Sequence, residues 1–120
     1  MIMSRKVVAV LSDLMFTVKI IEAAKHAGLK AVCVRTPADA IAQAAQDCAG
    51  IILDLNFAPV ELITQLKTGD ATRSVPLIGY VSHVQADLIR QAKESGCDQV
   101  LARSAFVAHL GSMMETFARS

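Results

Sequence analysis

The sequence predicts a three-layer α/β sandwich, a doubly wound parallel sheet of five strands in the order 2-1-3-4-5 with helices on both faces. Three observations carry that expectation. Short apolar runs such as Val7 to Leu11 and Ala49 to Leu53 show no polar alternation, as strands covered on both faces do not. Each such run is followed by a segment of helical period, and strands joined by single helices must run parallel, with right-handed crossovers that leave few arrangements of five. Finally, 120 residues of which 53% are hydrophobic suffice for one domain, residues 1–120, to bury a core without disulfides or structural metal.

In chain order, the first strand is Lys6 to Leu11. Ser12-Asp13 offers the N-cap of a helix over Leu14 to Ala27, with Leu14, Val18, Ile21 and Ala24 or Lys25 along its stripe and Gly28 as its stop. His26 in the last turn suits a helix C-terminus, which favours a cation. Lys30 to Arg35 is the second strand, and Thr36-Pro37-Ala38-Asp39 starts a helix that runs to about Asp47, with Ile41 and Ala45 on one face. The third strand, Ala49 to Asp54, is an unbroken apolar run that ends in a carboxylate. Glu61 to Lys67 is a helix built on Leu62, Ile63 and Leu66, broken by Thr68-Gly69-Asp70. Val75 to Val81 is the fourth strand, with Pro76 at its beginning, where a missing N–H is tolerated. Gln85 to Ser95 is the fourth helix, with Ala86, Ile89 and Ala92 or Lys93 inward and Gly96 as its stop. Val100 to Ala102 centres the fifth strand, and Ser104 can cap a last helix from Phe106 to Ala118 whose stripe is Phe106, Leu110, Met113 or Met114, and Phe117.

Composition excludes several function classes. Twelve basic against eleven acidic residues, net +1, give no broad field to draw nucleic acid or an anionic membrane, so neither is an expected partner. The apolar runs fall far short of the ~20 residues of a membrane span, and Arg5-Lys6 leading into a short strand is no signal peptide, so a cytoplasmic location is expected. Cys33, Cys48 and Cys97 lie far apart without CxxC or Cys/His spacing, and read as reduced, buried, small hydrophobes. His83 and His109 lack a second ligand at metal spacing and belong on solvated surface. The loop Ser12 to Thr17 has no glycine to cradle a phosphate, which argues against a flavin or nucleotide site. His83 beside Ser82 is the nearest approach to a nucleophile with a base, and adjacency is not geometry, so no catalytic residue is assigned and no enzyme is expected.

In an open sheet of this kind, ligands bind outside the carboxyl ends of the strands where strand order reverses, here between the first and third. Ser12-Asp13 and Asp54 should therefore face one another across a single crevice. Each has a structural alternative: Asp13 as helix cap, Asp54 as cap of its loop and the third helix, and Ser82 as N-cap of the fourth helix.

Element order and site layout together resemble the flavodoxin-like receiver domains of bacterial two-component response regulators, over nearly the whole chain. Such domains carry an acidic pair after the first strand, a phosphate-accepting Asp after the third, Thr or Ser after the fourth, and Lys-Pro after the fifth. The counterparts are Leu11-Ser12-Asp13, Asp54, Ser82 and Arg103-Ser104. The resemblance implies Asp54 as the phosphoacceptor position, Ser12, Asp13, Ser82 and Arg103 as crevice and switch positions, and Mg²⁺ held by Asp13 and Asp54.

Phosphoryl transfer to a carboxylate gathers negative charge that Mg²⁺ and a nearby cation must neutralise. Counting back from Gly28 places the acidic pair on Leu11-Ser12, and a one-residue slip places it on Ser12-Asp13; either register lacks an acid, so Mg²⁺ should bind weakly. Arg103 puts a planar fork where the family has a point charge, and is expected to pair with Asp54 and depress its pKa. Ser104 removes the family's proline, Asn56-Phe57-Ala58-Pro59-Val60 lacks the family's glycine and is shorter, and the family's switch aromatic falls on Val100. The expectation is a receiver-like signalling domain of phosphorelay type that acts by protein–protein contact with degenerate phosphorylation chemistry. The alternative is a working phosphoacceptor, modified at Asp54 with weakened Mg²⁺ binding, and a small-ligand-binding module ranks third. The partner would be a histidine kinase, a downstream effector or a second copy of the chain, engaged through the face presenting Arg90, Lys93, Gln99 and Leu101.

Overall fold

The computed structural model describes residues 5–83 and 85–119, in which strand and helix alternate throughout. The elements are β1 (Lys6–Val10), α1 (Leu14–His26), β2 (Lys30–Val34), α2 (Pro37–Ala44), β3 (Cys48–Asp54), α3 (Val60–Thr68), β4 (Leu77–Val81), α4 (Ala86–Glu94), β5 (Gln99–Ala102) and α5 (Arg103–Arg119). All strand pairs are parallel, and the sheet order is β2-β1-β3-β4-β5, as expected. The strands that read as unbroken apolar runs, β1, β3 and β4, occupy the buried centre, whereas the edges β2 and β5 are half exposed.

Alternation along each strand divides the interior into two layers. Val7, Ala9, Ile52, Ile78 and Tyr80 pack with Phe16, Ile20 and Ala24 of α1 and with the expected stripe of α5, both Met113 and Met114 included. Val8, Val10, Ile51, Leu53, Leu77 and Val81 pack with Ala40 and Ala44 of α2, Leu62, Ile63 and Leu66 of α3, and Ala92 of α4. The approach of α5 to β3 is close enough that a Cβ on Gly50 would lie 2.7 Å from the Phe117 ring. No helix among the described residues is long and apolar enough to cross a membrane.

Two of the expected caps form, those of α1 and α2. Asp13 Oδ1 accepts from Phe16 N at 3.0 Å to open α1, and Gly28, at φ 79°, takes the left-handed turn that ends it. Thr36 Oγ1 accepts from Asp39 N at 3.1 Å to open α2.

Four expectations are corrected. On α1 the buried stripe is Phe16, Ile20 and Ala24, while Leu14, Met15, Val18 and Ile21 are 80%, 78%, 58% and 43% exposed. That helix carries two apolar stripes, and the one with the aromatic ring fits the space between α5 and the sheet. On α2 the inward pair is Ala40 and Ala44, not Ile41 and Ala45, because small residues let the helix lie close on β1, and the helix stops at Ala44. On α4 only Ala92 is fully buried, with Leu88 and Ile89 half buried and Ala86 exposed. Finally, α5 begins at Arg103, the residue after β5 ends, so Ser104 lies inside the first turn instead of capping it. The cysteines are free thiols whose pKa burial pushes up, although only Cys97 is fully buried and Cys33 and Cys48 are half buried.

Candidate functional site

The crevice is assembled by three strand ends and two helix starts. Asp54 is the last residue of β3, in register with Tyr80 of β4, and follows Ile52 by two, so its side chain projects to the face covered by α1 and α5. Asp13 opens α1 on that same face, and Arg103 opens α5. The structure thus brings Asp13 and Asp54 to one crevice, as the strand-order reversal implied, and adds Arg103, which only the family resemblance had placed there.

Their pairing differs from the expectation. Arg103 Nη2 donates to Asp13 Oδ2 at 3.1 Å, and the guanidinium carbon lies 4.5 Å from the centroid of the Phe16 ring. The physical reason is local: the N-cap fixes the Asp13 carboxylate beside the first turn of α1, and Phe16 in that turn provides a flat apolar surface for the cation. With both oxygens engaged, Asp13 is held below the ordinary carboxylate value, first by the Phe16 N–H and then by Arg103.

Asp54 moves the other way. Its Oδ1 accepts from Asn56 N at 3.0 Å and its carbonyl from Phe57 N and Ala58 N at 3.0 and 2.7 Å, so it caps its own loop, while α3 opens at Pro59 without a side-chain cap. Partial burial pushes its pKa up, outweighing the Asn56 N–H and the charge of Arg103, and Asp13 adds to the upward push. The net depression of Asp54 expected from Arg103 is therefore overturned: the guanidinium still lowers its pKa, but burial outweighs that effect, and the guanidinium's hydrogen bond goes to Asp13.

Two further residues shape the crevice and were not singled out from sequence. Asn56 Oδ1 accepts from Ser82 N at 2.7 Å and His83 N at 3.5 Å, and its Nδ2 donates to Gln85 Oε1 at 3.2 Å, tying the β3–α3 loop to the β4–α4 loop. Ser82 is exposed and does not cap α4, whose N-cap position is held by Gln85. Tyr80, 1% exposed, sits 4.9 Å from Phe16 and 4.8 Å from Phe106 between ring centroids. Its hydroxyl has no hydrogen-bond partner among the described residues, and burial followed by the Asp54 charge keeps it un-ionised. A lone Tyr inside an apolar strand was the available signal for it.

The remaining expected positions lie elsewhere. Ser12 is exposed and lines a 150 Å³ cleft beside β2 with Leu14, Thr17, Cys33 and Arg35. Arg90 and Lys93 border a shallow apolar depression on α4 with Ala86 and Ile89. Gln99 and Leu101 line a separate groove of 310 Å³ between β5 and α5. His83 and His109 are exposed, as expected.

No family model matches the chain, and no curated protein matches it. Solved structures do. A response regulator from Hahella chejuensis superposes with a TM-score of 0.81 at 20% identity, covering 95% of each chain. The chemotaxis response regulator CheY4 of Vibrio cholerae gives 0.78 at 17% identity, over 96% of this chain and 99% of that one. The receiver domain of the sensor histidine kinase PA1611 of Pseudomonas aeruginosa gives 0.80 at 15% identity, over 98% and 100%. The chain has the receiver fold.

Receiver structures of this kind include one with Mg²⁺ coordinated in its active-site cleft and one bound to Mn²⁺. The donor set of the present crevice fits such an ion poorly. Among the described residues no group of three or more His, Cys, Asp or Glu side chains gathers anywhere, and one of the two crevice carboxylates is already bonded to a cation. A monovalent and a divalent cation ~5 Å apart repel by about 2 to 7 kcal/mol between the dielectric of water and that of a protein surface.

Proposed function

We propose that this chain is a receiver-like signalling domain of two-component type that acts by binding a protein partner and whose phosphorylation chemistry is degenerate. The observation that carries the reading is the Asp13–Arg103 pair. On this reading Asp54 holds the phosphoacceptor position, but the second carboxylate of the crevice is spent on the α1 cap and the guanidinium. On this reading the chain performs no catalysis of its own, works in the cytoplasm, and meets a histidine kinase, a downstream effector or a second copy of itself.

A working phosphoacceptor is the second reading, and one observation favours it: Asp54 is half buried at the end of β3, with its Oδ1 bonded to the Asn56 N–H and the charge of Arg103 nearby. Incubation with a small-molecule phosphodonor and Mg²⁺, read by intact mass, separates the two. We expect no phosphoryl adduct on the wild type and a partner pull-down that is unchanged in Asp54→Asn. Stoichiometric labelling that disappears in Asp54→Asn would establish the phosphoacceptor instead.

A further inference from the structure

We propose that Arg103 is a fixed counter-cation that takes over the electrostatic task of a divalent metal, so that the crevice excludes Mg²⁺. The inference deepens the reading above and takes from it only the choice of ion. Three charged side chains meet here, Asp13, Asp54 and Arg103, and the cation among them belongs to the chain itself.

Its position is set from both ends. The backbone of Arg103 follows the last residue of β5 directly and begins α5, so sheet and helix together fix where the side chain starts. The guanidinium end is held 3.1 Å from Asp13 Oδ2 and 4.5 Å from the Phe16 ring centroid. Asp13 is in turn anchored by the Phe16 N–H, and Phe16 is wedged beside Tyr80 and Phe106 in the core. Each support is itself supported, so the pair is formed before any ion arrives.

The chemistry of the competitors favours the resident. A guanidinium stays protonated at any physiological pH, and here it gives Asp13 Oδ2 one charge-assisted hydrogen bond while Oδ1 is taken by the Phe16 N–H. Mg²⁺ dehydrates reluctantly, demands octahedral oxygen ligands, and gains little from a lone carboxylate. To use Asp13 the ion would have to displace a cation that remains tethered next to it. Removing Arg103 should therefore uncover a divalent site on Asp13 and Asp54, the two carboxylates it keeps apart from the metal.

The test is a titration with Mg²⁺, and separately with paramagnetic Mn²⁺, followed through backbone amide NMR signals around Asp13 and Asp54. The wild type should show no saturable shifts and no selective broadening there. Arg103→Ala should bind about tenfold more tightly or better, as loss of a neighbouring like charge requires. Arg73→Ala, which removes the same charge from the remote surface, should behave as wild type, and adding Asp13→Asn to Arg103→Ala should abolish the gained site. Should Arg103→Ala fail to fold, Arg103→Gln, which removes the charge and keeps a polar side chain at the start of α5, carries the same comparison. Saturable wild-type binding at millimolar Mg²⁺, or an Arg103 variant no tighter than Arg73→Ala, overturns the proposal. Phosphoryl labelling of Asp54 in a wild type that still shows no saturable Mg²⁺ shifts would instead strike the degenerate-chemistry reading alone and leave this proposal standing.

Discussion

Asp13 and Asp54 bring the same side chain to the same crevice, and their acidities shift in opposite directions. Asp54 has its pKa raised above the ordinary 3.8 by burial, so the folded state holds that proton more firmly and stability is lost as pH rises through the folded value. Asp13 is lowered from 3.8 by the Phe16 N–H and Arg103, so its contribution is present above that value and lost as pH falls through the folded one. Thermal melts across pH should accordingly show Asp54→Asn melting above wild type at neutral pH and Asp13→Asn, which retains a cap, melting below it. Both differences should shrink toward zero on acidification past 3.8. Tyr80→Phe removes a buried hydroxyl that has no partner among the described residues, and should raise stability by about 1 kcal/mol in urea unfolding. The positions of Asp13 and Asp54 were legible in the sequence because the strand-order reversal specifies where those two strand ends converge, and that of Arg103 through the family resemblance. Their pairing was not, since it depends on which way each side chain turns. Asn56 and Tyr80 were missed for the same reason: a bridge between two loops and a ring packed between two helices leave no periodic trace.

Among the elements, α1 shows most clearly where pattern reading runs out. Its sequence carries two stripes of helical period, Leu14-Val18-Ile21 and Phe16-Ile20-Ala24, and hydrophobicity alone cannot rank them. The outcome is decided by the shape of the gap between α5 and the sheet, which accepts the Phe16 ring beside Tyr80 and Phe106. Ile20→Ala should therefore cost about 2 to 5 kcal/mol, as large-to-small changes in a close-packed core do. Val18→Lys should stay within ~0.5 kcal/mol of wild type, as exposed substitutions do. Equal losses in the urea midpoints of the two variants would contradict the observed facing. The strands were read with far less ambiguity, because an apolar run covered on both faces needs no choice of side.

At the scale of the whole molecule, sheet order and helix placement followed from the βα alternation and the handedness of crossovers, and the structure agrees on both. The surface is less determined. The four residues expected to form one partner face divide between a depression on α4, bordered by Arg90 and Lys93, and a groove beside β5 that includes Gln99 and Leu101. Reversing both charges, Arg90→Glu with Lys93→Glu, should leave the melting temperature within a few degrees of wild type while weakening self-association or partner capture severalfold. An unchanged sedimentation profile together with an unchanged pull-down would direct attention away from α4.

The direct passage from Ala102 of β5 to Arg103 of α5 has a mechanical side. A strand followed at once by a helix leaves little chain between the two, so the edge of the sheet and the longest helix among the described residues should move together, with Arg103 at their junction. A load on α5 is then expected to reach the β5 backbone and the crevice with little taken up by slack. A single glycine inserted after Ala102 would supply that slack, and the amides of β5 and α5, which should exchange with solvent as one cooperative unit in the native chain, would then exchange as two.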